Sequence, residues 1–163
     1  MSLIKIATLR TWSSIPGHEL FLRQLDTVRK MVQSTGKGRI FLQSPDKTNT
    51  LVALTAKELN QDVYKIDLPA ILSKFVGETK RNLDKVFAQV EGKEWILYFD
   101  EADALFGKRA GINPGEDKYS NLYVPYLLKK IEEYKGVVIF SCINCLAAIG
   151  KVRDAVLLNY FPT

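Results

Sequence analysis

The run Trp95-Ile96-Leu97-Tyr98-Phe99 constrains the fold more than any other stretch, because it is apolar at every position and stops abruptly at Asp100-Glu101. A strand that is apolar on both faces is buried on both, the situation of a central strand in a parallel sheet covered by helices. Its two terminal acids then fall at the carboxyl edge of the sheet, where open α/β sheets bind their ligands. The local pattern equally permits Asp100 to cap a following helix, since Asp is a favoured N-cap.

The remaining sequence alternates helical with strand-like patterns, as a parallel sheet with helices on its faces requires. Leu22, Leu25, Val28 and Val32 recur at helical spacing over residues 19–33. Gly36-Lys37-Gly38 breaks the chain before a short apolar run over 39–43. Residues 50–60 return to a helical pattern through Leu51, Leu54 and Ala56, and 63–67 read as a second strand. Leu83, Val86, Phe87 and Val90 make 79–90 an amphipathic helix. Residues 119–134 are helical in pattern, with Pro125 predicting a bend or a late start because it removes a backbone donor. Residues 137–141 repeat the buried-strand signature, and 156–161 read as an edge strand that Pro162 stops. The expectation is a doubly wound α/β fold, with a five-stranded parallel sheet sandwiched by helices. At 163 residues the chain fits a single domain, 1–35 forming an N-terminal segment and helix and 36–163 the core.

Several function classes are disfavoured. No apolar run approaches the roughly 20 residues that span a bilayer, and the opening MSLIKIATLR is too short and polar for a secretory signal. These features predict a soluble, cytoplasmic protein with no membrane partner. The net charge of +5 is spread along the chain and mixed with acids, so it reads as solvated surface rather than as a nucleic-acid face. Cys142 and Cys145 form a C-x-x-C, but a single histidine, His18, leaves too few ligands for structural zinc. The pair trails a buried strand instead of opening a helix where a redox thiol would be activated, so it reads as chance spacing.

The motifs fall into a recognisable order. Residues 100–109, Asp100-Glu101-Ala102-Asp103-Ala104-Leu105-Phe106-Gly107-Lys108-Arg109, resemble the Walker B strand end of the AAA ATPases. Upstream, Ser73-Lys74-Phe75-Val76-Gly77-Glu78-Thr79 is similar to that family's first pore loop. Downstream, Asp117-Lys118-Tyr119-Ser120-Asn121 through Leu127-Leu128 and Glu132 resembles the helix joining Walker B to the sensor strand. The set looks closest to the AAA ATPases that accompany bacterial contractile injection systems, and it covers residues 36–161. The resemblance implies a P-loop NTPase fold. It also implies a nucleotide-binding loop holding Lys47, Asn49 and Thr50, and catalytic positions at Asp100, Glu101 and Asn144. Thr50 and Asp100 would stand on the Mg²⁺ side, and Phe75 at the partner-binding pore-loop aromatic. Plain core packing is the other reading of Phe75, since aromatics are mostly structural.

Three departures follow from the same resemblance. Where the family's phosphate loop reads G-P-P-G-T-G-K-T, this chain reads Gln43-Ser44-Pro45-Asp46-Lys47-Thr48-Asn49-Thr50. The glycines let backbone N–H groups converge on phosphates without a Cβ in the way; Gln43, Asp46 and Thr48 replace them, and Asn49 replaces the phosphate lysine. A unit-charge pair near 4 Å contributes roughly 4 kcal/mol at a surface-like dielectric, so losing an ammonium and gaining Asp46 predicts an affinity loss of several decades. The segment matching D-E-A-F-L-R-R carries Leu158 and Asn159 at the two arginine positions, and Arg153 is displaced from them. A finger arginine contributes about 10³- to 10⁵-fold in rate. The third expected departure concerns the helical lid, which in the family would follow the sheet domain at the point where this sequence reaches Thr163.

Together these imply an AAA-like module that binds, scaffolds or regulates without hydrolysing ATP. Its expected partner is another protein or an AAA relative, no cofactor is expected, and homo-oligomer formation is left open. The alternative is a weak, divergent ATPase that takes ATP and Mg²⁺ through Lys47, Thr50 and Glu101.

Overall fold

The computed structural model describes residues 2–4, 16–106 and 114–160. Chain order gives strand β1 (Ser2–Ile4), helix α1 (His18–Thr35), β2 (Gly38–Gln43), α2 (Thr48–Leu59) and β3 (Val63–Ile66). There follow α3 (Leu68–Ile71), α4 (Val76–Val90), β4 (Ile96–Phe99), α5 (Asp103–Phe106), α6 (Pro114–Glu133), β5 (Val137–Cys142), α7 (Leu146–Ile149) and β6 (Val156–Asn159).

Five parallel strands form the sheet in the order β3-β4-β5-β2-β6. The short β1 adds to the β3 edge in antiparallel sense, a strand the sequence reading did not foresee. Side chains alternate across each strand, and the two cores show it directly. Leu97 and Phe99 of β4 join Val138 and Phe140 of β5 in one apolar cluster, under Leu83 and Val86 of α4 and Leu127 and Ile131 of α6. Ile96 and Tyr98 join Ile139 in the other, under Leu25 and Val28 of α1 and Leu51 and Leu54 of α2. The sheet is therefore sandwiched, as the doubly apolar strands predict.

Helix α1 buries Phe21, Leu25 and Val28, one stripe at helical spacing, and ends at Gly36. There φ is 73°, a left-handed conformation that glycine adopts without steric cost, and the Gly36 N–H closes on the carbonyl of Val32. Helix α6 departs from expectation, running without interruption from Pro114 to Glu133 with Pro125 inside it. The local cost of an interior proline, about 3 kcal/mol, is outweighed by burial of Tyr123, Leu127 and Ile131 on the same helix, each such side chain contributing about 1.5–3 kcal/mol.

The cysteine pair is a second correction. Cys142 and Cys145 are joined in a disulfide with Cα atoms 5.4 Å apart, tying the end of β5 to the start of α7. Chance spacing does not describe them. Residues 107–109 of the Walker B resemblance, and Phe161 at the end of the predicted edge strand, lie outside the described residues.

Candidate functional site

Three parallel strands end side by side at the carboxyl edge, and each delivers a segment with polar groups. Strand β2 leads into the loop 44–47 and the first turn of α2, β4 into Asp100 and Glu101, and β5 into the turn carrying Asn144. Strand order alone makes this the meeting point of the predicted site residues, because β4, β5 and β2 are neighbours.

At its centre stands Tyr98. Its ring is buried on the α1/α2 face, and its hydroxyl emerges at the sheet edge. Oη lies 3.0 Å from Oδ1 of Asp100, 3.3 Å from Oδ1 of Asn49 and 3.3 Å from Oγ of Ser141. Ser141 donates to the same Asp100 oxygen at 2.7 Å, and the Glu101 N–H donates to both Asp100 Oδ1 and Ser141 Oγ at 3.0 Å. The other carboxylate oxygen, Oδ2, pairs with the ammonium of Lys65 at 3.1 Å. Lys65 reaches it because it lies opposite Tyr98 in the β3–β4 register. Both oxygens of Asp100 are thus committed to partners within the chain.

The electrostatics agree. Burial alone would favour protonation of Asp100, but hydrogen bonds from Ser141, Lys65 and Tyr98 outweigh it and hold the carboxyl below its ordinary range. Burial pushes the Tyr98 phenol well above its ordinary value, so the hydroxyl keeps its proton and remains a donor.

Glu101 is exposed and adopts φ 52°. That left-handed geometry costs a non-glycine residue roughly 1–2 kcal/mol, and the hydrogen bonds on its N–H help to hold it. Asn144 is exposed in the turn after β5, its N–H donating to Oδ1 of Asp103 at 3.1 Å while the Ile143 N–H donates to Oδ2 at 2.8 Å. Asp103 therefore braces the turn that carries Asn144. It does so from α5 across the gap between two strand ends.

The loop before α2 closes on itself. The Lys47 N–H points to Ser44 Oγ at 3.3 Å, and the Leu51 N–H returns to the Lys47 carbonyl at 2.9 Å. Lys47 is the half-buried N-cap of α2, and Asn49 and Thr50 lie in its first turn. Of these three, the Tyr98 network takes in Asn49 alone among the described hydrogen bonds.

Phe75 stands apart as the N-cap of α4, 70% exposed, which rules out core packing as its role. The segment around it is braced by its own polar side chains. Ser73 Oγ donates to Glu78 Oε2 at 2.9 Å, the Ser73 N–H donates to Thr79 Oγ1 at 2.9 Å, and the Phe75 N–H donates to Ser73 Oγ at 3.2 Å. The positions matching the family's arginines lie within β6, where Leu158 is buried and paired in register with Leu42.

Sequence reasoning missed Tyr98, Ser141, Lys65 and Asp103. A faint signal exists for three of them. Ser141 and Lys65 are the polar exceptions in strands otherwise apolar, and Tyr98 is the residue of β4 with a hydroxyl.

Comparison with known proteins bears on the family. Residues 47–157, more than half of the chain, match the family described as "ATPase family associated with various cellular activities (AAA)". A protein of Corynebacterium kroppenstedtii named "AAA ATPase forming ring-shaped complexes" is 31% identical over 144 residues, covering 77% of this chain and 25% of its own. The vesicle-fusing ATPase of Arabidopsis thaliana is 33% identical over 134 residues, covering 76% and 17%. The cell division cycle protein 48 homolog of Archaeoglobus fulgidus is 30% identical over 113 residues, covering 66% and 15%. The chain spans a quarter or less of the length of these curated relatives.

Proposed function

The chain belongs to the AAA family of ATPases, and from that premise we propose that this domain works by binding a protein partner rather than by hydrolysing ATP. One observation carries the reading: Lys65 pairs with Asp100 at 3.1 Å, so an internal ammonium stands where the family resemblance puts a magnesium ion. A metal at Asp100 would have to displace that lysine as well as its own water.

The residues present do not fit a nucleotide well. Asn49 is neutral and turned to Tyr98, and Gln43, Asp46 and Thr48 replace the glycines that would let main-chain amides converge on phosphates. Asp46 is exposed beside that loop and would repel a polyanion. The exposed Phe75, held on a braced turn, is the side chain we assign to partner contact. Partner binding to an AAA relative, ring assembly of the kind named for the Corynebacterium protein, and a cytoplasmic location belong to the same proposal. So does nearer kinship with the AAA ATPases of bacterial contractile injection systems, which rests on the motifs at 73–79, 100–109 and 117–132. Among the described residues no helix is long and apolar enough to cross a membrane.

A second reading, weak ATP hydrolysis, draws support from Glu101, whose carboxylate is exposed at the sheet edge on a constrained backbone. Calorimetric titration with Mg·ATP, followed by steady-state phosphate release, decides between them. The binding reading expects no saturable heat and no turnover. Micromolar affinity with turnover abolished in Glu101→Gln would establish the second.

A further inference from the structure

At the opposite edge of the sheet from Asp100, the amino ends of β2 and β6, the last turns of α1 and the second half of α6 line a half-open cavity of about 940 Å³. That volume lies at the upper end of the usual range for ligand sites. Its apolar lining comes from Met31, Leu128, Val152 and Val156.

Its charged lining is strongly one-sided. Lys37, Lys129, Lys151 and Arg153 contribute cations, against Glu132 and Asp154. Arg153 and Glu132 pair with each other at 3.7 Å, while Lys37 and Lys151 donate to the neutral carbonyls of Glu132 at 2.8 Å and Phe106 at 3.1 Å, which leaves their charge uncompensated. A fifth cation, Arg39, stands in the wall and is buried. Its guanidinium donates only to main-chain carbonyls, those of Gly38 at 2.9 Å and of Gly136, Ile131 and Tyr134 at 2.6 Å each. No ion pair among the described residues balances it. A buried charge whose partners are neutral dipoles projects its field into the adjacent cavity, and a concave low-dielectric wall focuses that field.

We propose that this cavity is a docking site for an acidic peptide segment of a partner protein, one in which carboxylates flank an aliphatic side chain. The excess of cations at the rim recognises the carboxylates, and the Met31, Leu128, Val152 and Val156 surface takes the aliphatic group. A nucleic acid fits less well, because the lining offers no aromatic face on which a base could stack. The inference does not rest on the nucleotide reading, since the two sites share no residue.

The test is fluorescence anisotropy with a fluorescein-labelled peptide alternating Glu-Asp pairs with Leu, at low and at physiological salt. Saturable binding that weakens with salt is expected, and Lys129→Glu combined with Lys151→Glu, both exposed positions, should weaken it about tenfold or more. Thermal melting of that variant should fall only slightly, through loss of the Lys151 bond to the Phe106 carbonyl, and Lys129→Ala provides a milder variant that should melt as the parent does and show a smaller loss of binding in the same direction. A peptide with Lys in place of each acid should not bind. Absence of saturable binding at low salt would overturn the proposal, as would binding indifferent to both variants. Tighter capture of an oligothymidylate than of the acidic peptide would replace it with a nucleic-acid site.

Discussion

Tyr98 and Asp100 lie two residues apart, one inside β4 and one just beyond it, and meet through a 3.0 Å hydrogen bond from the phenol to Oδ1. Side chains two apart on a strand share a face, so the register of β4 itself brings the buried ring's hydroxyl up beside the carboxylate. Asn49 and Ser141 then gather on the same hydroxyl from α2 and β5. The site is thus pinned to the core through Tyr98 together with the buried Ser141.

Tyr98→Phe should keep the ring packing and remove that shared donor. The phenol's single proton serves one acceptor at a time, and Asp100 keeps Ser141, the Glu101 N–H and Lys65, so the cost should be about 0.5–1.5 kcal/mol. Urea denaturation should show a lower midpoint with an unchanged slope.

Asp100→Asn should lower stability by about 1 kcal/mol near neutral pH, a modest figure because the Lys65 pair is about one-third exposed. The pH dependence follows from the depressed carboxyl. In the parent, the stabilisation is complete above the ordinary carboxylate value of 3.8 and is lost as pH falls through the lower folded value. Denaturation curves of parent and variant should therefore converge in acid and separate above about pH 4.

Phe75→Ala should change stability by less than about 0.5 kcal/mol, because its ring is largely in solvent. Leu83→Ala, in α4 about two turns beyond Phe75 and 1% exposed, should cost about 2–5 kcal/mol. Parallel urea titrations check the contrast. A large loss for Phe75→Ala would contradict its assignment to a partner-facing surface.

Arg39→Met would take the guanidinium donor from the Tyr134 carbonyl and leave those of Ile131 and Gly136 with one backbone donor each, at a cost of about 1–3 kcal/mol. Arg39→Lys should cost roughly half as much, since an ammonium cannot reproduce the planar fork that serves four carbonyls at once. Burial brings the guanidinium down to about 10, so both comparisons made at neutral pH concern a charged parent. Thermal melting of the three proteins should rank parent, lysine variant, methionine variant.

The parallel sheet was legible because its strands are apolar on both faces, a pattern that 95–99 and 137–141 display without reference to anything distant. The long helices were legible through stripes such as Leu83, Val86 and Val90. Pro125 misled because its penalty is local, whereas the burial of Tyr123, Leu127 and Ile131 that overcomes it depends on the sheet beneath. Helices α3, α5 and α7 have four residues each, too few for a period to register. Strand β1 has three residues and exists through its pairing with β3. Of the candidate site, Asp100 and Glu101 could be placed because a strand end is a sequence feature. Lys65 and Ser141 could not, since their roles depend on which strands become neighbours.

Strand β2 runs six residues from Gly38 to Gln43, a rise of roughly 20 Å, with the basic cavity at its start and the Tyr98 cluster beyond its end. Perturbations that far apart, with no shared contacts, combine with an interaction term of only about 0.3–0.5 kcal/mol. Occupancy of the cavity by an acidic segment and substitution of Tyr98 should accordingly act as independent variables, and a partner could load one end of this sheet without the other end registering it.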